Sequence, residues 1–194
     1  MTKTLLQHRQ ELAANPEAYT KGLKRAVRTL TKHLKDAGYV LLTPTRGEAE
    51  RQEYVQLIFR SQNERPFFHI DGPLPYCWNS PMKSGSPPRH GWEFNYIRYE
   101  WGHLKSINQN AAEAYNVENL CLMSARCNHH IQSSMNVEEL IVYGGALESV
   151  IRKHLAARQA LFASDEWKSL LARLSKFKMP YNPALQPTRV EARG

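Results

Sequence analysis

The chain has 194 residues, 42% apolar and 10% aromatic, with 26 Lys and Arg against 18 Asp and Glu for a formal net charge of +8. That balance excludes a disordered or fibrous polymer and fits a globular protein of one or at most two domains. There is no apolar run of about 18 residues, and the opening MTKTLLQHRQELAANP carries charges where a signal peptide keeps its apolar stretch, so a membrane-inserted or secreted protein is not expected and the chain reads as cytoplasmic.

In chain order, residues 21–36 set Leu23, Val27, Leu30 and Leu34 at helical spacing among Lys21, Lys24, Arg25, Arg28, Lys32 and Lys35, which predicts an amphipathic helix with a basic outer surface ended by Gly38. Tyr39 to Leu42 reads as a short extended segment before a Thr43-Pro44 turn, and Tyr54 to Arg60 as a second strand. From Pro66 to Gly91 six prolines and three glycines forbid long helices, while Phe67, Phe68, Tyr76, Trp78 and Trp92 supply surface to bury, which predicts ordered loops. This segment reads as packing, with a substrate-contacting loop through Lys83, Arg89 and His90 as the other reading. Residues 94–101 and 119–124 read as strands, 138–161 and 165–177 as amphipathic helices, and the chain beyond Pro180 as irregular.

The charge is unevenly placed. Residues 1–35 carry eight Lys and Arg against two Asp and Glu, residues 150–194 nine against three, and the middle nine against thirteen. Basic ends attract a polyanion such as nucleic acid, and an acidic centre suits a metal or an acid-base group, although solvated helix faces give the same pattern. Cys77, Cys121 and Cys127 are too few and too unevenly spaced for a disulfide framework or a four-ligand zinc site, so reduced thiols are expected.

The chemistry-bearing residues lie between 99 and 135. A strand ends at Glu100-Trp101-Gly102-His103, a loop follows, a second strand opens at Glu118-Asn119-Leu120, and Asn128-His129-His130-Ile131-Gln132 opens a helix. This order resembles the HNH endonucleases of the ββα-metal superfamily over about a fifth of the chain. The stretch from Tyr115 through Gln132 looks similar to colicin-type DNase toxins and to the HNN branch found in RNA-guided effectors. The resemblance implies that His103 is the general base, that Asn119 fixes the loop which orients it, and that Asn128 and Gln132 are ligands of one divalent ion, Mg or Mn. Independently of the resemblance, neutral imidazole suits proton abstraction near neutral pH, and a hard cation takes the oxygen donors of Asn and Gln.

The sequence departs from that pattern at Gly102, where the family usually has a metal-binding side chain before the histidine. The run Glu100-Trp101-Gly102-His103 is instead similar to the Asp-Arg-Gly-His motif of the superfamily's non-specific DNA/RNA nucleases. Three readings stay open: a water-rich site held mainly by Asn128, a site completed by Glu100, which shares a strand face with position 102, or a degenerate site. Asn128 also suits a helix N-cap, and Asn119 a turn residue.

The expectation is an α+β protein with a ββα-metal nuclease core flanked by basic helices, organised as an amino-terminal region 1–65, a nuclease module 66–162 and a carboxy-terminal helix and tail 163–194. The expected activity is metal-dependent endonucleolytic hydrolysis of DNA, in restriction or phage defence. The alternatives are a non-catalytic nucleic-acid-binding protein that keeps the fold and an effector toxin with an immunity partner. Duplex DNA is the expected partner, contacted by Lys24, Arg25, Arg28, Lys32, Lys105, Arg126, His129, His130, Arg152 and Lys153. A homodimer would let one site per subunit cut both strands.

Overall fold

The computed structural model describes residues 7, 11, 14–68, 98–105, 111–130, 136–143 and 145–179. Most of the Pro/aromatic segment, Gln132 and the chain beyond Met179 lie outside the described residues. Helix α1 (Pro16–Asp36) begins where the Asn15 side chain accepts the Glu17 N–H at 2.9 Å and Pro16 supplies a preset helical φ. Its apolar stripe buries Ala26, Leu30 and Leu34 completely. Gly38 stops it at φ +92°, with its N–H on the Lys35 carbonyl at 2.9 Å.

Residues 39–42 form turns rather than an extended segment. The Thr43-Pro44 turn is held by the buried Arg51, whose guanidinium donates to the carbonyls of Thr43, Pro44 and Arg46 at 2.8, 2.6 and 3.0 Å. The strand expected over Tyr54 to Arg60 is a helix, α2 (Glu48–Ser61). Its Tyr54, Val55, Leu57, Ile58 and Phe59 are all buried because further elements cover it on several sides. A helix covered all round loses the one-sided pattern that would have marked it as helical.

Strands β1 (Tyr99–His103) and β2 (Leu120–Ser124) pair antiparallel, with Trp101 opposite Leu122 and His103 opposite Leu120. They are joined through 3-10 turns at Ala111–Tyr115 and Val117–Asn119. β2 runs directly into helix α3 (Ala125–His130), because Ser124 Oγ accepts the Cys127 N–H at 3.2 Å and caps it. The other edge of β2 is covered, since Gln62 both donates to the Leu122 carbonyl (2.8 Å) and accepts its N–H (2.9 Å).

Three helices complete the described chain. Asn136 and Glu139 cap one another's backbone N–H groups at the start of α4 (Val137–Tyr143). Gly145 at φ +45° then interrupts what the sequence suggests is one helix over 138–161, and α5 (Ala146–Ala163) begins anew. Ser164 caps α6 (Asp165–Ser175) by accepting the Trp167 N–H at 3.2 Å.

The hairpin separates two apolar clusters. Tyr99, Trp101, Leu120 and Leu122 meet Leu30 and Leu34 of α1, Tyr54 and Ile58 of α2, and Trp167, Leu170 and Leu174 of α6. On the other face Leu104, Cys121, Met123 and Cys127 meet Phe67, Phe68, Leu140 and Ile151. The first cluster draws side chains from all three regions marked off in the sequence. The architecture is therefore mixed, helices packed around a two-stranded antiparallel sheet. Among the described residues no helix is long and apolar enough to cross a membrane. Cys121 is a free thiol that burial pushes up to about 12, whereas Cys127 is disulfide-bonded, which corrects the expectation of reduced thiols throughout. Spacing along the chain carries no information about that through-space pairing.

Candidate functional site

His103 closes β1, and the chain beyond it is fastened to the start of β2 by one side chain. Asn119, 4% exposed, accepts the Lys105 N–H at 2.7 Å and donates to the carbonyls of Lys105 and Glu113 at 3.0 and 3.3 Å. Its own carbonyl accepts the Leu104 N–H at 2.9 Å. Both hydrogen-bonding ends of its amide are thus used on the loop that follows His103. The turn carrying Asn119 is itself gripped from three helices: Tyr54 Oη donates to the Val117 carbonyl, Arg158 to those of Glu118 and Leu120 (2.7 and 2.8 Å), and Trp167 Nε1 to Glu118 Oε1 (2.8 Å).

Strand alternation sorts the remaining residues. His103 shares a face with Tyr99 and Trp101 and turns toward α1, where the ring of His33 lies 5.7 Å from its own, centroid to centroid. Burial lowers the His103 pKa below the ordinary histidine value, an effect that Asp36 opposes. Burial, and secondarily the neighbouring His103, brings His33 down to about 4. Both imidazoles are therefore neutral at pH 7, the form that accepts a proton.

Glu100 and Gly102 belong to the opposite face. Glu100 accepts from Asn128 Nδ2 at 3.1 Å and pairs with Arg98 at 3.2 Å. Asn128 is in the body of α3 and not at its cap, which Ser124 occupies. The two residues expected to complete a metal site, Glu100 and Asn128, thus touch each other, while His103 points to the other face of the strand. Gln132 lies outside the described residues. Among the described residues no group of three or more His, Cys, Asp and Glu side chains could hold a metal ion.

A cleft of about 660 Å³ runs between α1 and the edge of β1. Glu100, Asn128 and Trp101 line it from one side, and Arg25, Arg28, Lys32, Lys35 and His33 from α1. Of the four α1 cations expected to bind nucleic acid, three face this cleft, and Lys24 is exposed outside it. Lys105 is mostly exposed and pairs with Glu113 at 3.3 Å. Arg152, paired with Glu148, and Lys153 stand on the exposed side of α5. Arg126, His129 and His130 are carried on α3, and their side chains lie outside what is described. Arg158 is not a surface cation. It is 2% exposed, and burial lowers its pKa.

Sequence reasoning passed over His33, and it placed Lys35 on the basic helix surface without counting it among the nucleic-acid contacts. Lys35 follows Lys32 by three residues on α1, so the spacing that located Arg28 and Lys32 also marks it. Nothing local marks His33, because its significance comes from a strand end seventy residues away. The cleft thus gathers His33, the Glu100–Asn128 pair and a row of cations, while His103 stands behind His33 and does not line it. No family model matches the chain, and no curated protein or solved structure matches it either.

Proposed function

We propose that the chain is a metal-dependent endonuclease that hydrolyses phosphodiester bonds in DNA, with β1, β2 and α3 serving as a ββα-metal module. The observation that carries this reading is Asn119. A buried asparagine that spends its side-chain amide on the loop after His103 is what a nuclease of this design requires to hold its general base in place. In this reading His103, kept neutral by burial, removes the proton from the attacking water. Glu100 and Asn128 fit as oxygen donors to a hard divalent cation, leaving its other positions to water and a phosphate oxygen. Such an ion stabilises the charge that builds on the phosphate and the leaving oxygen. Arg25, Arg28 and Lys32 bring the phosphate backbone to the site.

A second reading, a protein that binds nucleic acid without cutting it, is favoured by three details: His103 points to the opposite face of β1 from Glu100 and Asn128, the Glu100 carboxylate already pairs with Arg98, and Gly102 supplies no ligand. Incubating supercoiled plasmid with the protein and Mg²⁺ or Mn²⁺ separates the two. Nicked or linear product that disappears with EDTA supports the nuclease. Intact plasmid whose mobility is retarded supports the binder.

A further inference from the structure

We propose that Arg98 competes with the divalent cation for the Glu100 carboxylate, and so sets how much of the ion the site requires. The inference rests on the nuclease reading for the ligand role of Glu100 and goes beyond it in assigning a role to Arg98. Arg98 stands one residue before β1, where its carbonyl accepts the Ala125 N–H at 3.1 Å, so the start of α3 fixes its backbone. From there its Nη2 reaches Glu100 Oε1 at 3.2 Å, while Asn128 Nδ2 donates to Glu100 Oε2 at 3.1 Å. Each carboxylate oxygen thus faces a nitrogen donor, and one of the two donors carries a full positive charge.

A hard divalent cation takes carboxylate oxygens as its preferred ligands, so it and the guanidinium seek the same atoms. They cannot share Glu100 Oε1 without like charges a few ångströms apart. The side chains of Arg98 and Glu100 are 30% and 18% exposed, so solvent screens that repulsion only in part. Among the described residues Glu100 is the one carboxylate paired with Arg98, and the buried Arg98 Nε has no acceptor. Giving up Glu100 therefore leaves Arg98 without its pair, and that loss weakens the hold of the site on the ion.

The test is Mn²⁺ binding to the protein without DNA, followed by the loss of the free-ion EPR signal. Arg98→Gln should bind Mn²⁺ at least about fivefold more tightly than the wild type, because a hydrogen bond between charged groups no longer has to be broken. Arg98→Lys, which keeps the charge, should return the affinity toward the wild-type value. Glu100→Gln should bind more weakly, and adding Arg98→Gln to it should change the affinity by no more than about twofold, since the competition needs the carboxylate. Lys35→Gln removes an exposed cation of the same cleft and should stay within about twofold of wild type. An affinity in Arg98→Gln equal to or below that of the wild type would overturn the proposal. So would an equal gain from Arg98→Lys or Lys35→Gln, or a gain that persists without the Glu100 carboxylate. Plasmid cleavage with an unchanged Mn²⁺ affinity in Arg98→Gln would leave the nuclease reading standing without this inference, whereas a tighter Mn²⁺ site with plasmid never cut would leave the inference standing without the nuclease.

Discussion

Replacing Asn119 with alanine removes three hydrogen bonds at once: one accepted from the Lys105 N–H and two donated to the carbonyls of Lys105 and Glu113. A net hydrogen bond contributes about 0.5–1.5 kcal/mol, so three of them put the loss at roughly 2–4 kcal/mol. The partner at Lys105 is on an exposed residue that water can reach, which keeps the figure from rising further. For a chain of this length that loss lowers Tm by roughly 5–15 °C. Urea unfolding followed by tryptophan fluorescence reads the free energy directly, and Trp101 and Trp167 both lie in the core beside β1 and β2. Asn119→Asp is the informative companion. It keeps the acceptor for the Lys105 N–H but aims a carboxylate at two carbonyl oxygens, so its deficit should grow as pH rises through the carboxylate range. A wild-type midpoint for Asn119→Ala, within about 0.5 kcal/mol, would refute the argument that this side chain holds the loop.

The pKa of His33 is lower in the folded state, about 4, than its ordinary 6.5, so between these values the unfolded chain takes up a proton that the folded one refuses. Stability is therefore whole above about pH 6.5 and falls toward pH 4, and Tm measured from pH 7 to 4.5 should drop less in His33→Gln than in the wild type. Arg158→Ala orphans the buried carbonyls of Glu118 and Leu120 and leaves a cavity, costing about 3–5 kcal/mol in urea unfolding. Arg152→Ala, on the exposed side of the same helix, should stay within about 0.5 kcal/mol. If Glu100 and Asn128 share a metal, Glu100→Gln and Asn128→Ala should each raise the Mg²⁺ concentration needed for half-maximal cleavage. Unchanged metal titrations in both would remove the pair as ligands.

Helices with one wet side were legible before any coordinates. The stripe of α1 follows local rules and α6 lies close to where the periodicity sets it, whereas α1 begins at Pro16, ahead of the expected residues 21–36, because the Asn15 cap lies outside its apolar repeat. The segment Tyr54 to Phe59 misled because burial on several sides erases helical periodicity, leaving a run of aromatic and branched residues that reads as a strand. The Gly144-Gly145 pair marks a break that the long apolar pattern across 138–161 obscured. At the site, the strand–turn–strand–helix order and the fastening role of Asn119 could be read from spacing and family likeness. The pairing of Glu100 with Asn128, the facing of His103 toward His33 and the clamping of the Asn119 turn by Arg158 could not, since each joins residues far apart in the chain through the register of β1 and β2.

The central claim is that His103 performs the chemical step, and the most direct measurement is the single-turnover cleavage rate of His103→Ala beside the wild type, with DNA affinity measured on the same preparations in Ca²⁺ or EDTA. The account predicts a rate lower by about 10²–10⁴ with affinity nearly unchanged, because a general base acts on the transition state and contributes little to ground-state binding. A rate within twofold of wild type, or a loss of rate matched by an equal loss of affinity, would contradict it.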